Sequence, residues 1–244
     1  MIEFKNLVKN FGSKKVLKDI SFSVPKGEVL FILGTSGTGK SVLLKTLVGL
    51  LRPTSGEVWV DGEEISHISE EAYLEIRKKC GMVFQHPALF DSLTVFENVA
   101  FGLRRHYNWT EEKIQKRVRE CLALVHLKDV EHRLPQDISY GMQKRVSLAR
   151  TVAVGPQVLL YDEPTTGLDP VTTNAVNQLI LELSKQLQVT SMVVSHDMHC
   201  ALDIADRIIV LDQGQIVEEG TPAELQKSNQ PLVKEFLSEV VAGG

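Results

Sequence analysis

Val29-Leu30-Phe31-Ile32-Leu33 runs directly into Gly34-Thr35-Ser36-Gly37-Thr38-Gly39-Lys40-Ser41, and helix-forming sequence from Ser41 to Leu50 follows. An apolar run of strand length, a glycine-rich turn and a helix is the context that the pattern G-x-x-x-x-G-K-[ST] requires of a phosphate-binding loop. Glycines let backbone N–H groups turn inward around phosphate oxygens, and the helix N-terminus adds positive potential. Lys40 can then reach the β and γ phosphates, while Ser41 offers its hydroxyl to Mg²⁺. Glycine-rich turns also occur without a ligand, but the full spacing in this context points to a bound nucleotide.

A second element supports that reading. Val158-Leu159-Leu160-Tyr161 is a short apolar strand that ends in Asp162-Glu163-Pro164. It places two carboxylates at the carboxyl edge of a sheet, where α/β proteins bind ligands. Asp162 is the candidate for the Mg²⁺ shell and Glu163 for polarising an attacking water, since in-line phosphoryl transfer needs positioning and charge management above all. Adjacent acids are ordinarily solvated surface groups; the buried-type strand in front of them argues against that here.

Around these elements the chain reads as α/β. Ile2 to Val8 and Lys18 to Val24 have strand character, and Val58 to Asp61 is a strand closed by the turn pair Asp61-Gly62, so antiparallel strands and a mixed sheet are expected. From Val95 to Ala153 helical periodicity takes over: Ile114, Val118, Cys121, Leu122 and Val125 share one face of a helix over Glu111 to Leu127, with Thr110 as its cap. A helix from Thr172 to Leu187 and a strand over Ser191 to Ser195 then resume the α/β alternation. The expected division is a catalytic core with an antiparallel β subdomain over 1–90 and 156–225, a helical subdomain over 91–155 and a C-terminal tail over 226–244. No internal repeat or second nucleotide motif occurs, so one chain supplies one site.

Composition narrows the partners. The chain is 244 residues long and 43% apolar, enough for a substantial core. Its 27 Lys and Arg face 31 Asp and Glu, and without a long basic run nucleic acid is not expected as the principal partner. The apolar runs fall well short of the roughly 18 to 20 residues of a membrane span, and Met1 to Asn10 lacks the apolar stretch of a signal peptide. Membrane contact is expected only through another protein. Cys80, Cys121 and Cys200 are widely spaced, odd in number and unpaired in pattern, which fits a reducing compartment.

Taken together, these motifs resemble the ABC (ATP-binding cassette) ATPase family over nearly the whole chain. Ile138-Ser139-Tyr140-Gly141-Met142-Gln143 looks like the family's signature segment, whose Ser139 and Gly141 would face the γ-phosphate held by a partner subunit; the family usually has glycine where Tyr140 stands. Gln85 corresponds to the glutamine that touches Mg²⁺ or water and relays nucleotide state towards the membrane subunit. Thr166-Gly167-Leu168-Asp169 resembles the loop that crosses the dimer interface, and His196 matches the histidine that contacts the γ-phosphate. Phe11 sits where the family places an aromatic that stacks on adenine, the competing reading being a core phenylalanine. The resemblance implies a P-loop fold working as a homodimer on two ATP molecules with Mg²⁺, peripheral on the cytoplasmic face of the inner membrane and driving integral membrane permease subunits.

Within the family, the stretch from Gly81 to Phe101, above all Ala88-Leu89-Phe90-Asp91-Ser92-Leu93-Thr94-Val95-Phe96-Glu97-Asn98-Val99, resembles the ATPases of Mla-type phospholipid transporters, which work with MCE-domain proteins. Met142 and the tail Pro231-Leu232-Val233-Lys234-Glu235-Phe236-Leu237 fit that subgroup, where such a tail can reach the neighbouring ATPase; an amphipathic surface helix ending in a flexible Val241-Ala242-Gly243-Gly244 is the alternative. An importer of amino acids or other small solutes, and a non-transport ABC ATPase acting on DNA or ribosomes, are the competing functions. The resemblance also allows a small regulatory subunit on the helical subdomain.

Overall fold

The computed structural model describes residues 2–242. Its elements, in chain order, are β1 (Ile2–Phe11), β2 (Lys14–Val24), β3 (Val29–Leu33), α1 (Lys40–Leu47), β4 (Ser55–Val60), β5 (Glu63–Glu64), α2 (Glu70–Lys79), β6 (Cys80–Val83), α3 (Val95–His106) and α4 (Glu111–Leu124). A short 3₁₀ turn (Pro135–Asp137) precedes α5 (Tyr140–Ala153), β7 (Val158–Asp162), α6 (Pro170–Leu187), β8 (Thr190–Ser195), α7 (Met198–Ile204), β9 (Arg207–Asp212), β10 (Gln215–Gly220), α8 (Pro222–Leu225) and α9 (Pro231–Ala242).

Two sheets form. β2, β1, β4 and β5 make a four-stranded antiparallel sheet in that order, with Asp61 and Gly62 both at positive φ in the turn between β4 and β5. The second sheet has the order β10-β9-β3-β8-β7-β6 and is parallel except for β10, which pairs antiparallel with β9. The core sheet is therefore mixed, as expected, but through its far edge, while the opening strands β1 and β2 belong to a sheet of their own.

The two-residue period of a strand divides the core between the faces of this sheet. Phe31, Leu33, Leu159 and Tyr161 point into one cluster with α3, α4, α5, α6 and α7; Leu30, Ile32, Val158 and Leu160 point into another with α1 and the antiparallel sheet. The helices of 91–155 thus share a hydrophobic core with the sheet. The predicted helix face holds, with Ile114, Val118, Cys121, Leu122 and Val125 all buried, and Thr110 caps α4 by accepting from the Lys113 N–H.

Several expected bounds shift. β1 and β2 extend to Phe11 and back to Lys14 because they pair along a long hairpin through several register shifts. α4 stops at Leu124, since His126 takes a left-handed conformation at φ 56°. β9, β10, α2 and α7 were not anticipated. Cys80, Cys121 and Cys200 are free thiols, all buried. Among the described residues no helix is long and apolar enough to cross a membrane. The tail folds as α9 and docks on its own chain through buried Val233 and Phe236; Gly243 and Gly244 of the tail expected to be flexible lie outside the described residues.

Candidate functional site

Sheet order brings the site together. β8 lies between β3 and β7, with Leu33 opposite Ser195 and Asp162 opposite Val194, so three parallel strands end side by side. The phosphate loop, Glu163 and His196 leave the sheet at this one edge. The groove there has a volume of about 600 Å³, within the range of a small-molecule site, and Thr35, Ser36, Gly37, Gly39, Lys40, Ser41, Gln85, Glu163, Thr166 and His196 line it.

The loop is shaped by what glycine permits. A Cβ on Gly34 would lie 2.4 Å from the Leu211 carbonyl oxygen, so only glycine lets the chain pass the end of β9. Gly39 stands at φ 109° as the N-cap of α1 and brings no side-chain cap to the helix, which leaves its first N–H groups without a side-chain acceptor from the cap, beside the groove that Gly39, Lys40 and Ser41 line. Thr38 is buried and donates to the Thr35 carbonyl, bracing the turn from within.

Lys40 is buried, and its Nζ donates to the carbonyl oxygens of Gly34 at 2.7 Å and Thr35 at 3.1 Å. It also lies 3.3 Å from Glu163 Oε1. The other Glu163 oxygen is 2.9 Å from His196 Nδ1, and the hydroxyls of Thr166 and Ser195 donate to it at 3.3 and 3.4 Å. The carboxylate is thus aimed by four groups from three segments, on a backbone at φ 51° that a non-glycine residue rarely adopts. Ser41 donates to Asp162 Oδ1 at 2.6 Å, joining the two residues expected to serve the metal. Their oxygens, with the amide of Gln85 on the groove wall, form a hard donor set of the kind Mg²⁺ selects.

Phe11 is 46% exposed and lines the same groove, so the core-phenylalanine reading does not hold. Ser139, Gly141 and Asp169 are not brought to this groove. Ser139 caps α5 by accepting from the Met142 N–H, and Asp169 caps α6 by accepting from the N–H and hydroxyl of Thr172. Gly141 faces α6 closely, since a Cβ there would lie 2.8 Å from Thr172 Cγ2. Hydrogen bonds to Thr172 hold the Asp169 carboxyl below its ordinary range. Lys14, Val16, Phe236 and Glu239 also line the groove without having been anticipated, the last two because α9 folds back towards it. No local motif marks them; only the fold does.

Comparison with known proteins agrees with this geometry. The family model described as ABC transporter matches residues 17–166. The methionine import ATP-binding protein MetN of Carboxydothermus hydrogenoformans is 44% identical over 246 residues, covering 99% of this chain and 73% of the relative. The probable ribonucleotide transport ATP-binding protein mkl of Mycobacterium leprae is 42% identical, covering 97% and 68%. The intermembrane phospholipid transport system ATP-binding protein MlaF of Haemophilus influenzae is 38% identical, covering 97% and 90%. Among solved structures, the ATP-binding cassette MJ0796, a dimer in a post-hydrolysis state bound to ADP and Pi, superimposes with a TM-score of 0.83 at 34% identity, covering 91% of this chain and 99% of that one. With a phosphate loop, a paired carboxylate strand and a histidine gathered at one sheet edge, and with these relatives over nearly its whole length, the chain belongs to the ABC transporter family as an ATP-binding, ATP-hydrolysing cassette.

Proposed function

We propose that this cassette drives phospholipid movement, as a homodimer that holds two ATP molecules between its subunits on the cytoplasmic face of the inner membrane. The observation that carries the hydrolytic roles is the placing of Glu163 between Lys40 and His196. A triphosphate seated in the groove competes with Glu163 for the Lys40 ammonium, which frees the carboxylate to orient water. Backbone N–H groups from Gly34 to Gly39 cradle the phosphates, His196 contacts the γ-phosphate and Phe11 stacks on adenine. Ser41, Asp162 and Gln85 would hold Mg²⁺, which supplies neutralisation of phosphate charge when bound. Ser139 and Gly141 serve the partner's nucleotide, and the Thr166-to-Asp169 loop crosses the interface. ATP binding closes the dimer, and hydrolysis with product release reopens it.

Residues 91–155 act as the helical subdomain that meets the permease. Phe101 in that subdomain is exposed, as are Phe84 and Phe90 in the segment leading into it, and the Phe90 and Phe101 rings lie 4.7 Å apart. That patch suits docking of a membrane subunit. Phospholipid as cargo, with an MCE-domain protein as a further partner, is supported by the Ala88-to-Phe101 segment and by the MlaF relative. Import of a small solute is the second reading, favoured by the higher identity to MetN. Affinity purification from native membranes, with mass spectrometry of proteins and lipids, separates the two. Recovery of a permease with an MCE-domain protein and phospholipid supports the first; recovery of a permease with a soluble-solute receptor overturns it in favour of the second.

A further inference from the structure

Among the described residues, one buried cation outside the groove has no part in the roles above. Lys144, on the second turn of α5, is 6% exposed, and its Nζ donates to the carbonyl oxygens of Pro164 at 2.7 Å and Thr166 at 2.8 Å. Both carbonyls belong to the loop that follows Glu163. An ammonium taken out of water is costly unless its donors are satisfied, and here two backbone acceptors compensate it. Burial pushes its pKa down to about 8, with the Glu163 charge acting in the opposite direction.

Tyr140 covers the same ammonium, its ring centroid 5.4 Å from Lys144 Nζ. The Tyr140 hydroxyl lies 3.2 Å from Nδ1 of His86, the residue after Gln85. A continuous side-chain path therefore leads from the Gln85 segment, through the start of α5, to the loop that carries Glu163. A glycine at position 140 could supply neither the ring nor the hydroxyl. From the helix side Lys144 grips Pro164 and Thr166; from the sheet side the Glu163 N–H donates to Val194 O at 2.9 Å. Glu163 sits between these two anchors in its left-handed conformation.

We propose that Lys144 is a positioning residue for ATP hydrolysis, fixing the Glu163 loop, and that the Tyr140–His86 contact ties this grip to the Gln85 segment. The inference rests on Glu163 as the water-orienting carboxylate. It assigns Tyr140 a task in its own chain, separate from any contact with a partner's nucleotide.

The test is steady-state ATP hydrolysis by the purified full chain, with kcat and KM resolved and thermal midpoints recorded. Lys144→Met should lower kcat by about tenfold or more, the scale of losing hydrogen bonds to a charged group, with KM within about twofold. Tyr140→Phe and His86→Ala each break the same contact, so each should lower kcat by about two- to fivefold and the double variant no further. An unchanged kcat in Lys144→Met overturns the positioning role, and additive or absent effects in the cycle overturn the tie to the Gln85 segment. Should Lys144→Met fail to fold, Tyr140→Leu decides: it removes ring and hydroxyl from a half-exposed position, and an unchanged kcat sinks the inference. Glu163→Gln keeps the two levels apart. Normal hydrolysis in that variant removes the Glu163 role itself, whereas lost hydrolysis there beside a normal Lys144→Met removes only the Lys144 role.

Discussion

Two helix N-termini in this chain carry the sequences proposed to meet phosphate, and they are built differently. At α1 the N-cap is Gly39, which makes no side-chain hydrogen bond to the helix, and buried Lys40 and the Asp162–Ser41 pair surround the opening. At α5 the N-cap is Ser139, whose hydroxyl already accepts from Met142 N–H, and both Ser139 and Tyr140 are exposed. The first end has its counter-groups in its own chain. The second presents a satisfied cap on an open face, which suits the proposed action on another subunit's ligand. A site with its own cation and carboxylate can bind alone; a capped helix end without such groups needs the rest of the site brought to it.

That contrast can be broken by substitution. The largest effect is expected from Lys40→Ala, which removes the phosphate-facing cation from the α1 site. ATP binding measured by calorimetry should be lost, and with it the rise in melting temperature that a ligand specific for the native state produces. Retained affinity would show that the α1 end does not depend on its own cation. Glu163→Gln should leave ATP affinity within about threefold of wild type while lowering kcat by roughly a hundredfold or more, as expected for a group that acts in the transition state. Hydrolysis at the normal rate would remove Glu163 from that role.

The α5 end should respond in the opposite sense. Gly141→Asp places a negative charge where the proposed dimer would put a partner's phosphate, so turnover should fall by about tenfold or more while ATP affinity of the isolated chain stays within about twofold. Loss of ATP binding along with turnover would mean that this segment serves its own groove. The smallest effect is expected in stability: Ser139→Ala removes an N-cap and should cost about 1 kcal/mol in denaturant unfolding. No loss would show that the cap bond contributes nothing to α5.

What could be read from the sequence follows from how local each feature is. Gly34 to Ser41 and Val158 to Glu163 are contiguous patterns with a strand in front, and the expectation of their chemistry follows from spacing and that local context. Thr110 as a cap and the apolar face of α4 were legible for the same reason. β9 is not marked in the sequence although Ile208 to Leu211 is an apolar run much like that of β7, because no motif adjoins it. Lys144 was not legible at all. A lysine on a helix reads as solvated, and only the packing of α5 against the Glu163 loop makes it a buried donor. Phe236 and Glu239 reach the groove by the docking of α9, which depends on contacts made far away in the chain.

The position of β3 in the sheet bears on how the protein is made. Its two neighbours, β8 and β9, begin at Thr190 and Arg207, more than 150 residues after β3 itself. During synthesis the phosphate loop therefore emerges on a strand with both edges unpaired, Val29 to Leu33, and stays so until most of the chain has followed. An unpaired apolar strand of that kind is a ready template for association, and its pairing across such sequence separation is slow. Chains halted before Val210 should bind no nucleotide and should be the species that holdase chaperones capture on the ribosome.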